Sequence, residues 1–276
     1  MKVHLPESLD ALWDLLDQHP QAGIMAGGTD LLVSLRAGKQ HLPTVICLER
    51  LAPLQTIEPL DQTLRIGAGV TLTRILENSL VHTHLPLLHK SVASLGSPLV
   101  RNMATLGGNI CTASPAGDTL PALYVLGAKL SLASAKGRRI LPLESFIQGP
   151  GKTALAKGEI LDSVIIPFPA GFGVQHFEKL GQRNALAISV VSFAALIRTQ
   201  DNLVQRARFA WGSVGPTIVR SPQAEKALEG NPLSLEALLR VADLARAAVE
   251  PITDVRASAD YRRRVAGNMV LRLAAL

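Results

Sequence analysis

Two glycine pairs, each followed by small or polar residues, carry most of the chemical content of this chain: Ala26-Gly27-Gly28-Thr29-Asp30 and Thr105-Leu106-Gly107-Gly108-Asn109. Glycine has no Cβ to hold a ligand off the backbone, and it adopts positive φ without strain. Consecutive main-chain N–H groups in such a turn can converge on an anion such as a phosphate. Two such turns predict a diphosphate gripped from both sides. Each pair alone also reads as a tight turn. Thr29 and the amides after the first pair are candidate phosphate donors, and Asp30 is a candidate helix cap. The second pair runs into Thr112-Ala113-Ser114-Pro115-Ala116-Gly117-Asp118. There, small residues and hydroxyls suit close approach of an extended ligand. Asp118 either accepts from ligand hydroxyls or caps the helix after it.

Other motifs carry less. Gly67-Ala68-Gly69 begins like a dinucleotide fingerprint, but Leu72 stands where the third glycine belongs. It reads as a strand end and a turn. No GxxxxGK[ST] loop and no GxSxG elbow is present. His82, His84 and His89 lack an acidic or Cys partner nearby, so no metal site is assigned. Cys47 and Cys111 are the only cysteines, too few for the four thiolates of an iron–sulfur cluster.

The elements that position these residues follow from periodicity. Ser8 caps a helix carrying Leu9, Leu12, Trp13, Leu15 and Leu16, and a strand at Gly23–Ala26 leads into the first pair. A helix with Leu31, Leu32 and Leu35 on one face follows, closed by Gly38. Strands are predicted at 44–48, 64–69, 128–132, 158–167, 174–180 and 204–211. Helices are predicted from Thr71, through Val92 and Leu95, at 120–126 with Gly127 as stop, and at 235–249 and 261–273. The segment 167–173 is rich in proline and glycine and marks a boundary. The architecture expected is α+β, with domains at 1–170 and 171–276.

The 276 residues are 47% hydrophobic, with a mean hydropathy of +0.25. That is ample for a packed core and hints at a surface covered by a partner subunit. The most apolar stretch, 189–197, is too short to cross a bilayer. No apolar signal region stands at Met1–Pro6, so a cytoplasmic location is expected. The net charge of +6 is uneven. Residues 1–170 carry 14 basic against 13 acidic side chains, and residues 171–276 carry 14 against 9. With 4% aromatics, the basic excess reads as a solvated or docking surface and not as a nucleic-acid interface.

Beyond these physical readings, the chain resembles the FAD-binding (medium) subunits of the molybdenum hydroxylases, the group of xanthine dehydrogenase, carbon monoxide dehydrogenase and 4-hydroxybenzoyl-CoA reductase. The resemblance is carried by Ala26–Leu31, by Ala104–Ile110 with Ala113-Ser114-Pro115 and Asp118, by Glu159–Pro167, by Lys179 through Arg183 to Val191, and by Asp260–Arg264 with Ala266-Gly267. It implies a two-part FAD-binding domain of the vanillyl-alcohol-oxidase (PCMH) type, then a smaller C-terminal α+β domain of the carbon monoxide dehydrogenase flavoprotein type. It implies cofactor contacts by Met25, Ala26, Gly27, Gly28, Thr29, Asp30, Leu31, Leu95, Thr105, Gly107, Gly108, Asn109, Ser114, Asp118, Leu161 and Lys179. No catalytic acid or base and no metal ligand is implied.

The resemblance further implies partners: a large subunit with a molybdenum cofactor and a small iron–sulfur subunit. Electrons would reach FAD here and leave to NAD⁺, a quinone or oxygen. A stand-alone FAD-dependent oxidoreductase is the alternative. Two positions depart from the family pattern, Leu95 for an aromatic and Ala187 for an aspartate in Ala185-Leu186-Ala187-Ile188-Ser189. Gly28→Val and Gly107→Val are each expected to abolish FAD retention without unfolding the chain.

Overall fold

Ser8 ends an extended start and turns the chain into a helix. In the computed structural model its hydroxyl accepts from the Ala11 amide at 3.2 Å, and the helix runs Leu9–Gln18. Leu12, on its inner face, packs against Ile46, Leu48, Leu51 and Leu54, with Leu9, Trp13 and Leu16 at the margin. The structure describes residues 1–183 and 186–276. The chain separates into two units. One comprises 1–78, 97–112 and 128–167; the other comprises 79–96, 113–127 and 168–276.

The first unit holds two larger sheets, beside a two-stranded one of Ile147–Gly149 and Lys152–Thr153. Lys2–His4 and Gly23–Met25 flank Thr44–Cys47, all parallel, and the helix Leu9–Gln18 lies in the connection. The central strand is buried through Val45, Ile46 and Cys47, as a parallel strand covered on both faces must be. The second sheet is antiparallel, in the order Ile57–Leu60, Thr63–Gly67, Ile160–Pro167, Lys129–Ser134, Gly137–Pro142. A bulge interrupts the central pairing between Leu161 and Ser163. Ile160 and Ala133 join the cluster around Leu12, so the two sheets share a core.

The second unit is built on an antiparallel sheet of Val174–Leu180, Val191–Gln200 and Leu203–Gly212. Alternate residues of the middle strand face opposite ways. Phe193, Ala195 and Ile197 meet the helices Pro222–Leu228, Leu235–Ala248 and Ala259–Leu271 in one apolar cluster with Phe209 and Trp211. Phe193 and Trp211 stack at 5.1 Å. The Trp211 Nε1–H donates to the Ala266 carbonyl at 3.1 Å, which satisfies the polar end of a buried ring. The sequence had supplied two closing helices; the first of the three, Pro222–Leu228, is short and was not expected. The helix Thr119–Leu126 lies against Val191–Gln200 and Leu203–Gly212. All eight of its residues are buried, which explains a sequence apolar on every side. Gly127, at φ +70°, ends it as expected.

Candidate functional site

The first glycine pair sits where a buried strand stops. The Leu48 amide donates to the Met25 carbonyl at 2.8 Å, the last backbone bond of that ladder, and the chain then turns through Ala26–Asp30. Gly28 has φ +70°, a left-handed position that strains any L side chain. A helix, Leu31–Arg36, begins at once. Its carbonyl side is engaged: Leu32 N–H donates to Gly28 O and Ser34 N–H to Asp30 O, both at 3.0 Å. Among the described residues, the amides of Gly27, Gly28, Thr29 and Asp30 donate to none. Four adjacent backbone donors without protein acceptors are a fit for an anionic oxygen cluster.

Asp30 does not cap. Its side chain makes no cap hydrogen bond to the helix; it accepts instead from the Thr112 hydroxyl at 3.3 Å. That bond ties the first turn to the far end of the second glycine segment. A second tie is steric. A Cβ at Gly27 would run into the Met103 carbonyl, one residue before Ala104. The two glycine pairs, 80 positions apart, therefore lie in neighbouring segments of this unit.

The second pair departs from expectation. Gly107 and Gly108 lie in the opening turn of a helix, Leu106–Thr112, and not in a loop. Their amides are all engaged. Leu106 N–H donates to Val70 O at 3.1 Å and Gly107 N–H to Ala68 O at 2.9 Å. Gly108 N–H donates to Thr105 Oγ1 at 3.0 Å and Asn109 N–H to Thr105 O at 3.0 Å. The amides of the second pair are thus all taken within the protein, unlike those of Gly27–Asp30, which have no acceptor among the described residues. Ala68 and Val70, in and just after the Gly67-Ala68-Gly69 turn, take up the first two of these donors, and Thr105 takes up the next two. Sequence reasoning had dismissed that turn as punctuation. Its small residues were the signal, because only they let a helix approach so closely.

The two glycines of the second pair also differ. Gly107 is buried, and a Cβ there would stand 2.6 Å from both the Cβ and the carbonyl of Ala68. Gly107→Val would break packing, which corrects the expectation that this variant stays folded. Gly108 is exposed, and its Cβ would meet only Thr105 Oγ1, at 3.0 Å. Leu161, 4% exposed, stands at the bulge beside Asp162. Asp162 is buried against Arg65 at 3.1 Å, and its carbonyl accepts from the Ala68 amide at 2.9 Å. Met25, Ala26, Leu31, Thr105, Asn109 and Leu161 all belong to this unit.

Leu95, Ser114, Asp118 and Lys179 belong to the second unit. Ser114 Oγ accepts from the Ala116 amide at 3.2 Å, closing the turn before Asp118. Leu95 is half-buried past the end of the helix Pro86–Ala93. Asp118 makes no cap bond to the helix it precedes. Its Oδ2 accepts from Lys179 Nζ at 2.5 Å, and the same ammonium donates to the Ser94 carbonyl at 3.0 Å. Asp118 Oδ1 is buried with no partner among the described residues. Burial pushes the Asp118 carboxyl up to about 6, against the pull of Lys179. A buried carboxylate oxygen without a donor fits a ligand hydroxyl.

The histidines are otherwise engaged. His82 meets His89 edge-on at 5.1 Å, and His84 lies 4.8 Å from the Phe168 ring. Among the described residues no three His, Cys, Asp or Glu side chains are grouped to hold a metal ion, and no helix is long and apolar enough to cross a membrane. Of the segment that departs from the family pattern, Ala185 lies outside the described residues. Ala187 packs its methyl where a Cβ on Gly181 would stand.

Two family models match the chain: the FAD binding domain in molybdopterin dehydrogenase over residues 1–169, and the CO dehydrogenase flavoprotein C-terminal domain over residues 176–275. The xanthine dehydrogenase FAD-binding subunit of Escherichia coli O157:H7 is 34% identical over 98% of this chain and 93% of its own. The carbon monoxide dehydrogenase medium chain of Hydrogenophaga pseudoflava is 32% identical over 98% and 94%. A solved structure of that organism's carbon monoxide dehydrogenase superposes with a TM-score of 0.94 at 31% identity, covering 99% of this chain and 95% of the matched one.

Proposed function

This chain belongs to the family of FAD-binding medium subunits of the molybdenum hydroxylases, oxidoreductases that use FAD as cofactor, and we propose that it is the electron-transfer subunit of such a complex. Its partners in this proposal are a large subunit with a molybdenum cofactor and a small iron–sulfur subunit. Bound FAD supplies the redox chemistry, taking electrons that originate at the partner's clusters and yielding them to NAD⁺, a quinone or oxygen. The protein supplies binding and orientation.

The observation that carries this reading is the row of amides from Gly27 to Asp30 with no protein acceptor. They would hold the cofactor's diphosphate. Thr112 draws the Asp30 carboxylate into a hydrogen bond. Gly108, exposed and without a side chain, lets the cofactor lie close to the opening of its helix. Asp118 and Lys179 would act on the polar chain of the cofactor, and Leu95 and Leu161 beside its rings. The reading keeps a FAD-binding domain at 1–170 and a C-terminal domain at 171–276.

Support for the partners comes from the names of relatives, several of which are medium chains or medium subunits. It comes also from the two free cysteines, Cys47 and Cys111, which cannot ligate a cluster. Unpaired thiols suit a reducing, cytoplasmic compartment.

The test is purification from the native host without disruption of complexes. A flavin absorbance spectrum, FAD released on denaturation, and co-purifying large and small subunits are expected. Anaerobic mixing of the substrate-reduced complex with NAD⁺, a quinone or oxygen then identifies the acceptor. A colourless protein, or a coloured one that never associates with other subunits, overturns the proposal.

A further inference from the structure

The strand Ile160–Pro167 breaks its own alternation. Ile160 pairs with Ala133 and Leu161 with Leu132, but Ser163, two residues on, pairs with Ser131. Asp162 is the extra residue of a β-bulge. Successive residues of a strand face opposite ways, so one inserted residue shifts the phase of all that follow. Ser163 and Ile165 therefore share the face of Ile160, which packs in the cluster around Leu12. Leu161 shares the opposite face with Val164 and Ile166, and with Leu130 and Leu132 of the neighbouring strand. In an unbroken strand paired as 163–167 is, Leu161 would point with Ser163 and Ile165.

Charge holds Asp162 in that place. Its side chain is 2% exposed. Oδ2 accepts from Arg65 Nη2 at 3.1 Å and from Ser163 Oγ at 3.0 Å, and Oδ1 lies 3.6 Å from Arg138 Nη2. Arg65 is in register with Ile165, and Arg138 with Ala133, so both guanidiniums stand on the face of Ile160, one to each side of the bulge. A buried carboxylate is costly unless it is paired. The bulge therefore belongs at the one residue that both arginines reach. Its main chain is tied as well: Asp162 O accepts from the Ala68 amide, and Ala68 O from the Gly107 amide, each at 2.9 Å.

We propose that Asp162 is a positioning residue for the cofactor site: held between Arg65 and Arg138, it pins the bulge that keeps Leu161 off the face of the Leu12 cluster and turned toward the cofactor. The inference rests on the FAD reading above, which puts Leu161 beside the cofactor's rings. It deepens that reading by naming what aims the side chain. Asp162 acts through Leu161 and does not touch the cofactor. A carboxamide at 162 keeps the shape but gives up the charge that fixes the bulge. The strand can then return to unbroken pairing, with Leu161 turned away.

The experiment titrates FAD into the full-length apo-protein, follows the flavin fluorescence, and records the visible circular dichroism of the bound flavin. Asp162→Asn and Leu161→Ala should each weaken binding about tenfold, and the double variant no more than either alone, because two residues that act as one are not additive. Both single variants should change the flavin dichroism in the same direction. Arg65→Gln frees the carboxylate from the other side, should repeat the effect of Asp162→Asn, and carries the test should that variant not fold. Arg65→Lys keeps the charge and should stay within about threefold of the parent affinity. A loss in the double variant equal to the product of the two single losses overturns the proposal. So does a lowered Tm in Asp162→Asn with the parent's affinity and dichroism, which would make the ion pair structural only. Parent-like binding by Leu161→Ala removes Leu161 from the site, and the proposal with it. A parent chain that binds no FAD overturns the FAD reading itself, a result distinct from all of these.

Discussion

Gly27 lies directly against the carbonyl of Met103. A Cβ on residue 27 has no room there, since the nearest atoms are backbone and cannot rotate away. This one contact, with the hydrogen bond from Thr112 to Asp30, makes neighbours of two turns far apart in sequence. The absence of a side chain at 27 is thus demanded by the protein itself, whatever lies in the site.

Gly27→Ala should therefore lower stability before it touches cofactor chemistry. Shifting the Met103 backbone, at the end of the helix Pro98–Met103, costs more than about 2 kcal/mol on the scale of overpacked interiors. For a chain of this length that is a fall in Tm of about 5 °C or more. Differential scanning fluorimetry of the cofactor-free protein checks it, and an unchanged Tm would contradict the packing described.

The second pair allows the two roles to be separated. Gly107→Ala meets Ala68 backbone and side chain and should destabilise the apo-protein by about 1–3 kcal/mol. Gly108→Ala meets only the Thr105 hydroxyl, in a helix where alanine is intrinsically favoured by about 0.5–1 kcal/mol over glycine. Its apo-stability should stay within about 1 kcal/mol of the parent, while FAD retention falls because a methyl now occupies the exposed approach. Paired measurements of apo Tm and bound flavin decide it: full flavin content in Gly108→Ala would remove Gly108 from the site.

Much of this arrangement was legible in the residues, and what was missed has a physical cause. Ser8, the strand Val174–Leu180 and the stop at Gly127 follow from local chemistry, and local chemistry decides them. The second glycine pair looked like a loop because glycine disfavours helices. Tertiary contact overrode that preference, since Ala68 and Val70 take up the amides of the opening turn. Asp30 and Asp118 both looked like caps, and both were claimed by partners remote in sequence, Thr112 and Lys179. The apolar stretch 189–197 yielded the buried strand Val191–Gln200, apolar on both faces because helices cover each of them. Lys179 was singled out by resemblance alone, for nothing in its neighbourhood of the sequence marks its ion pair.

The buried guanidinium of Arg262 gives the last prediction. Its Nη1 donates to the carbonyls of Val190 at 2.9 Å and Ser213 at 3.0 Å, and its Nη2 to Asp254 Oδ1 at 2.6 Å. Burial works to raise the Asp254 pKa, but the Arg256 amide, the Arg262 guanidinium and the Ala257 amide together outweigh it and hold the carboxyl down at about 2. The folded pKa lies below the ordinary value of 3.8. The stabilisation is thus fully present above about pH 4 and is lost as pH falls towards 2. On the shift alone it amounts to about 2 kcal/mol. Asp254→Asn should lower stability at pH 7 and flatten the fall in stability between pH 4 and 2. Arg262→Lys, which loses the fork that reaches three acceptors, should move the same fall to higher pH. Urea unfolding at half-unit pH steps measures both, and an acid profile for Asp254→Asn that matches the parent would show that this carboxylate does not hold the C-terminal helix in place.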